Sequence, residues 1–310
     1  MDNQAGNTTV RYHYPYCPPG VTEVIGLGSS TYIGAVDEST VFKYPVAPGE
    51  DLERLEIERK FFEIIGSHER IIGFKGYTES GLYLERARNG DLGRYLDPDN
   101  ENPVPSIQQR LAWCREAAEA VAWIHSRRVL HCDLHPLNLL LDNGLHVKLA
   151  DFQGRQLSET GEIILNGWSS EPTRFHCPRN DEFDADYKTD LFALGCTIYF
   201  IIMGDAVFSD IINGEDRWRE KVKDRFQKQQ WPQEQHLCSA ITLRCWKKEY
   251  ESAQEIVEDI KCVERSVDPG PVVRSWRSFL FFPLTIIRWG INIPTFFKNW
   301  ASSMLGLRKT

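Results

Sequence analysis

Hydrophobic positions fall in short alternating runs over the first part of the chain and in longer helical stripes after residue 107. Residues 21–45 carry three β-type runs, TEVIGLG, TYIGAV and STVFKY, separated by Gly and by an Asp-Glu-Ser turn. Residues 50–66, EDLERLEIERKFFEIIG, place Leu52, Leu55, Ile57, Phe61, Phe62 and Ile65 at mixed three- and four-residue spacing. That spacing predicts an amphipathic helix with Gly66 as its stop. IIGFKGY and GLYLERA read as strands, followed by a turn at Gly90-Asp91. From Ile107 to Arg128, Leu111, Cys114, Ala118, Val121 and Ile124 form one stripe, which predicts a long helix. VLHCDL, LNLLLD and LHVKLADF are short β-like runs broken by Pro136 and Asn143-Gly144. Residues 155–180 lack periodicity and read as a long functional loop. Further helices are expected over 187–204, 216–230, 236–246 and 252–264. Strands first and helices afterwards predict a two-lobed α+β chain, with lobes at 21–87 and 88–265. A polar arm, 1–20, precedes them, and a tail, 266–310, follows.

Charge changes this picture at one end. The 310 residues carry a net charge of −8, which excludes a generally basic nucleic-acid binder. From Pro269 onward there are six bases and no acid, together with Trp276, Trp289, Trp300 and five phenylalanines. An aromatic, basic tail on an acidic body predicts peripheral membrane contact at the surface rather than a span, with packing onto the domain as the competing reading. The eight cysteines show no C-x-x-C pair, and the first residues lack an apolar secretory core, so reduced thiols in a cytoplasmic protein are expected.

Candidate chemistry lies in an ordered series. Gly26 and Gly28, in Ile25-Gly-Leu-Gly28, let backbone amides approach an anionic phosphate with no Cβ in the way. Lys43 follows one strand later in Val41-Phe42-Lys43, and Glu58 lies on the next helix, where a solvated position is the alternative. Asp133 and Asn138 stand five apart in Leu130-His-Cys-Asp-Leu-His-Pro-Leu-Asn138, and Asp151 ends the hairpin that follows. Phosphoryl transfer requires a residue to position or deprotonate the acceptor hydroxyl and hard oxygen ligands for Mg²⁺. These residues supply both in chain order.

The series resembles the eukaryotic protein kinase family. HCDLHPLN is similar to the catalytic loop H-R-D-x-x-x-x-N, and DFQG to D-F-G with one residue inserted. GLGSST resembles the Gly-rich loop and VFK the strand-3 lysine motif. Tyr187 to Gly195 resembles the segment whose Asp braces the catalytic loop, and Arg244-Cys245-Trp246 the late helix motif. The closest flavour is that of divergent fungal kinase-like proteins. The resemblance covers about residues 21–265 and implies a two-lobed protein-kinase-like fold, with a small β-rich N-lobe holding one helix and a larger helical C-lobe. It implies ATP and Mg²⁺ as cofactors and a protein as substrate. Lys43 would hold phosphates and pair with Glu58, Asp133 would serve the acceptor, and Asn138 and Asp151 would bind the metal. The backbone of Gly26, Gly28, Ser29 and Ser30 would cover the phosphates, and Glu85 and Ala87 would meet adenine at the hinge.

Several positions depart from the family pattern. Thr31 replaces the third glycine, Cys132 the arginine beside Asp133, and His135 the lysine that touches the γ-phosphate, a role the imidazole would take as a pH-dependent cation. Arg179 and Ser252 replace both members of a buried ion pair. The main expectation is an active protein kinase, directed to Ser/Thr. Thr31, His135 and the inserted Gln153 favour a scaffold that binds nucleotide without turnover. The H-x-D-x-H-x-x-N form of the loop favours a small-molecule phosphotransferase.

Overall fold

The computed structural model describes residues 16–267 apart from 29, 182 and 183. The arm to residue 15, Ser29 and the tail from 268, with the membrane reading that rests on that tail, lie outside the described residues. No helix among the described residues is long and apolar enough to cross a membrane.

Tight turns join the first three strands, β1 (Glu23–Leu27), β2 (Thr31–Ala35) and β3 (Thr40–Pro45), into a meander. The amide of Gly28 donates to the carbonyl of Thr31 at 2.7 Å, closing the first turn. Helix α1 (Leu52–Ile65) follows, then β4 (Phe74–Thr78) and β5 (Gly81–Glu85). The five strands form one antiparallel sheet in the order β1-β2-β3-β5-β4. The predicted strand over IIGFKGY is shorter than expected. Ile71 and Ile72 are core residues outside it, and their amides donate instead to the carbonyls of His68 and Leu149.

The Gly90-Asp91 turn opens a short helix that periodicity did not reveal, α2 (Leu92–Tyr95), with Asp91 capping it by accepting the Arg94 amide at 2.8 Å. α3 (Ile107–Ser126) starts at the Ser106 cap, and its predicted stripe is wholly buried. Three short strands follow: β6 (Val129–Leu130), β7 (Leu139–Leu141) and β8 (Val147–Leu149). β7 and β8 form a hairpin, whereas most of VLHCDL is loop, because its amides are taken by a buried carboxylate rather than by a neighbouring strand. The region 155–180, expected to be aperiodic, holds a second hairpin, β9 (Arg155–Leu157) and β10 (Ile163–Asn166), which is joined to β6. These strands are too short for alternation to show.

The rest is helical, with α4 (Tyr187–Met203), α5 (Trp218–Gln227), α6 (Ser239–Trp246) and α7 (Ala253–Val267). Asp186 and Thr189 form a capping box at the start of α4. Residues 189–199 of this helix are buried without interruption, so it is the central rod of the C-lobe. Gly195 is required where α4 meets α6, since a Cβ there would collide with that of Cys245. One hydrophobic core runs from Val41 and Leu55 through α3 to Ile260, and a second gathers Phe192, Phe226 and Trp246.

The segment between β10 and α4 is fastened by two buried arginines. Arg174 donates to the carbonyls of Val207, Phe208 and Ile211. Arg179 lies 2.7 Å from Glu171, whose side chain is fully buried. Its sequence position suggested an ion pair lost at both ends, but a different pair, with the cation now on the segment, stands here. Removing one member of a buried pair leaves an uncompensated charge. Glu171→Leu is therefore expected to lower unfolding free energy by about 3–5 kcal/mol. Glu171→Leu with Arg179→Met should recover most of that loss, as measured by urea denaturation. Equal stability of the single variant and the wild type would show that the pair does not fasten the segment.

Candidate active site

Each functional side chain is carried by an element whose own packing fixes it. Phe152 sits beneath α1 in edge contact with Phe62 at 5.3 Å, and Phe62 stacks on Phe74 at 5.2 Å. This apolar wedge places Asp151, just before it, and Glu58, one turn from Phe62, on either side of Lys43. The Lys43 ammonium lies 2.6 Å from Glu58 Oε2 and 2.6 Å from Asp151 Oδ1. Glu58 is fully buried, so the solvated alternative is excluded. Burial alone would drive the Lys43 ammonium toward its neutral form, but Asp151 and Glu58 outweigh it and raise its pKa. The Lys43 cation holds Asp151 below the usual carboxylate range, while burial pulls Glu58 upward against the same cation.

Across the cleft, Asp133 is held from both sides. Asn138 Nδ2 donates to the Asp133 main-chain oxygen at 2.8 Å and to Oδ2 at 3.3 Å. His135 Nε2 lies 3.3 Å from Asp133 Oδ1, and its Nδ1 accepts the Leu137 amide at 3.3 Å. An Nδ1 that accepts leaves Nε2 as the donor toward Asp133. The structure therefore sets His135 against the carboxylate of Asp133.

The loop carrying these groups is braced from α4. Asp190, fully buried, accepts the amides of His131 at 2.7 Å and Cys132 at 2.9 Å and lies 3.0 Å from His125 Nε2. Cys132 and Asp151 both adopt left-handed backbone conformations, with φ of 59° and 67°. Such geometry costs free energy and persists where surrounding bonds over-determine it. His131 Nε2 lies 3.0 Å from the Ala150 carbonyl, and the Ala150 amide donates to Asn138 O at 3.0 Å, so the two loops are tied together.

Gly28, Ser30, Asp133 and Asp151 line one cleft of about 230 Å³, and Gly26 lies on the strand above it. Thr31, in the third-glycine position, is buried at the start of β2 and lines the same cleft. Glu85 and Ala87 stand at the junction of the lobes. The Glu85 amide donates to Gly73 O at 2.7 Å, and its carboxylate accepts the Gly73 amide and meets Lys148 at 3.1 Å. The Ala87 carbonyl accepts the Gly90 amide. Sequence reasoning missed Arg54 and the stretch Gly167 to Ser170, which also line the cleft. A composition-based reading places Arg54 on a solvated helix face, and no motif marks the other four.

Comparison with known proteins agrees with this arrangement. The family model of the protein kinase domain matches residues 41–267. The chain belongs to the protein kinase family. Among curated proteins, the kinase domain is 27% identical over 146 residues to serine/threonine-protein kinase 36 of Mus musculus, covering 44% of this chain and 11% of that protein. It is 28% identical over 197 residues to serine/threonine-protein kinase RUNKEL of Arabidopsis thaliana, covering 61% and 14%. It is 30% identical over 174 residues to serine/threonine-protein kinase kin-29 of Caenorhabditis elegans, covering 53% and 20%. The match thus spans a fifth or less of these relatives' length.

The Asp190 brace carries a pH signature. Burial raises its pKa, but the bonds from His125 and the Cys132 amide and the charge of the nearby histidines outweigh burial and lower it overall. A carboxyl depressed in the folded state contributes stability above its unfolded value of about 3.9, and that contribution is lost as pH falls through the folded value. Thermal melting from pH 7 to pH 2 is therefore expected to show wild type losing stability below about pH 4. Asp190→Asn should start less stable at pH 7 and lose less over the same interval. Parallel curves for the two proteins would remove Asp190 from the acid-labile set.

Proposed function

We propose that this kinase domain transfers the γ-phosphoryl group of Mg·ATP to a serine or threonine hydroxyl of a protein. The observation that carries the reading is the Lys43 ammonium, held 2.6 Å from both Glu58 and Asp151, the second of which lines a cleft together with Asp133. Lys43 is fixed where an anionic phosphate would meet it. Asp133 Oδ1 and Oδ2 are oriented by His135 and Asn138, which leaves a positioned acceptor for the proton of an incoming hydroxyl.

The donor set suits Mg²⁺. Asn138 spends its amide nitrogen on Asp133, which leaves Oδ1 for a cation, and Asp151 keeps 41% of its side chain accessible. Both are oxygen donors, and Mg²⁺ takes one or two protein oxygens together with substrate phosphates. When bound, the ion supplies neutralisation of the phosphate charge. The hydroxyl oxygen attacks the γ-phosphorus while its proton passes to Asp133, and ADP leaves as the bond to its oxygen breaks. His135, whose Nε2 faces Asp133 Oδ1, is a positioning residue. The serine/threonine direction draws support from the relatives' names.

The test is transfer of labelled phosphate to a generic protein substrate by the full chain. Asp133→Asn should lower turnover by about 10²–10⁴-fold while leaving nucleotide affinity nearly unchanged. Lys43→Met should weaken productive nucleotide binding. Label on serine or threonine is the expected product. Nucleotide binding with no Asp133-dependent transfer would contradict the proposal and leave a nucleotide-binding scaffold.

A further inference from the structure

The basic side chains that meet Asp151 and Asp133 are both spent on carboxylates. Lys43 stands 2.6 Å from Glu58 and from Asp151, and His135 Nε2 faces Asp133 Oδ1 at 3.3 Å. The cleft of about 230 Å³ that the two aspartates line holds one further charged residue, Arg54. Gly28, Ser30 and Thr31, from the turn between β1 and β2, line the same cleft. Arg54 lies in the first turn of α1, four residues before Glu58, and residues so spaced share one helix face. Glu58 is fully buried against Lys43, and Leu55, Phe61 and Phe62 are core residues, so the rotation of α1 is fixed. Arg54 is exposed, and its side chain makes no hydrogen bond or ion pair among the described residues. On the same helix Arg59 is, by contrast, held by Glu56 and Glu63.

Phosphoryl transfer spreads negative charge over the equatorial oxygens of the γ-phosphoryl group, and cations aimed there lower the barrier. Asp133 and Asp151 repel that charge, so a cleft with these two charges alone would oppose the transfer. A planar guanidinium suits the task, since its fork offers parallel N–H donors to phosphate oxygens. We propose that Arg54 is the cation that meets the γ-phosphoryl oxygens of ATP during transfer. The inference rests on the kinase reading above. The bond changes are those of that reading. The acceptor oxygen bonds to the γ-phosphorus, its proton passes to Asp133, and ADP leaves with the electron pair. Arg54 takes no proton and forms no covalent bond; its N–H groups donate to the γ-phosphoryl oxygens as their charge grows. One helix thereby carries both the carboxylate that holds Lys43 and the cation that serves the transfer.

The test compares wild-type full chain with Arg54→Ala and Arg54→Lys in two measurements, both in excess Mg²⁺. In transfer of labelled phosphate to a generic protein substrate, Arg54→Ala should lower kcat by about 10²-fold, with KM for that protein within about threefold. Arg54→Lys should keep an intermediate rate, and millimolar guanidinium ion should restore part of the Arg54→Ala rate. In calorimetric titration, Arg54→Ala should bind ADP as wild type does and ATP about tenfold more weakly, the weight of one charge-assisted hydrogen bond. A merely structural role would change affinity for both nucleotides alike, and guanidinium would not relieve it. A wild-type kcat in Arg54→Ala, or equal losses of ADP and ATP affinity, would overturn the inference, while wild-type transfer leaves the kinase reading standing. Absence of transfer by the wild type would overturn both.

Discussion

One buried carboxylate sets the geometry of the loop that carries Asp133 and Asn138. Asp190 has no access to solvent and accepts two consecutive main-chain amides, His131 and Cys132, as well as facing His125. Two amides converging on one carboxylate require the chain to turn sharply, which is why Cys132 adopts a positive φ and Asp133 projects into the cleft. Burying a charge at that depth is tolerable only because its oxygens are so fully bonded. The capping box at Asp186 and Thr189 fixes the start of α4 and so fixes Asp190 one residue later.

The second constraint is apolar. Lys43, Glu58 and Asp151 come from a strand, a helix and a loop far apart in the chain, and their meeting depends on Phe152 filling the space under Phe62. Packing brings the carboxylates within reach, and the ammonium then balances their repulsion. The ion pairs give the site its charge pattern, while the aromatic contacts give it its position. The stretch from Gln153 to the start of α4 follows the same logic with different means. Glu171–Arg179 and Arg174 fasten its far end, and Gln153 fastens its near end by main-chain bonds.

Much of this was legible in the chain. The stripe from Leu111 to Ile124, the buried run of α4 and the alternation in β1 to β3 are long enough for period to speak. Lys43, Asp133, Asn138 and Asp151 were readable because each belongs to a local motif with its own spacing, whereas Glu58 had a solvated alternative that only its burial excludes. β9 and β10 were not, since three- and four-residue strands show no alternation. The pairing of Arg179 with Glu171 was hidden because neither residue belongs to a periodic pattern and the family's own pair misdirects the eye to Ser252. His135 was read as facing phosphate, and in the fold its Nε2 lies 3.3 Å from Asp133 Oδ1 while its Nδ1 accepts the Leu137 amide. Arg54 and Ser169 were invisible as cleft residues because no local spacing marks either of them, and the bond from the Ser169 amide to the inserted Gln153 is seen only in the fold.

The central claim is that the unliganded chain already holds a site fitted to Mg·ATP. Calorimetric titration of the full chain with ATP, in excess Mg²⁺ and again in excess chelator, tests it most directly. The account predicts one site per chain, with affinity at least about tenfold stronger with the metal, since Asp151 and the phosphates otherwise repel. Absence of binding, or affinity indifferent to Mg²⁺, would contradict it.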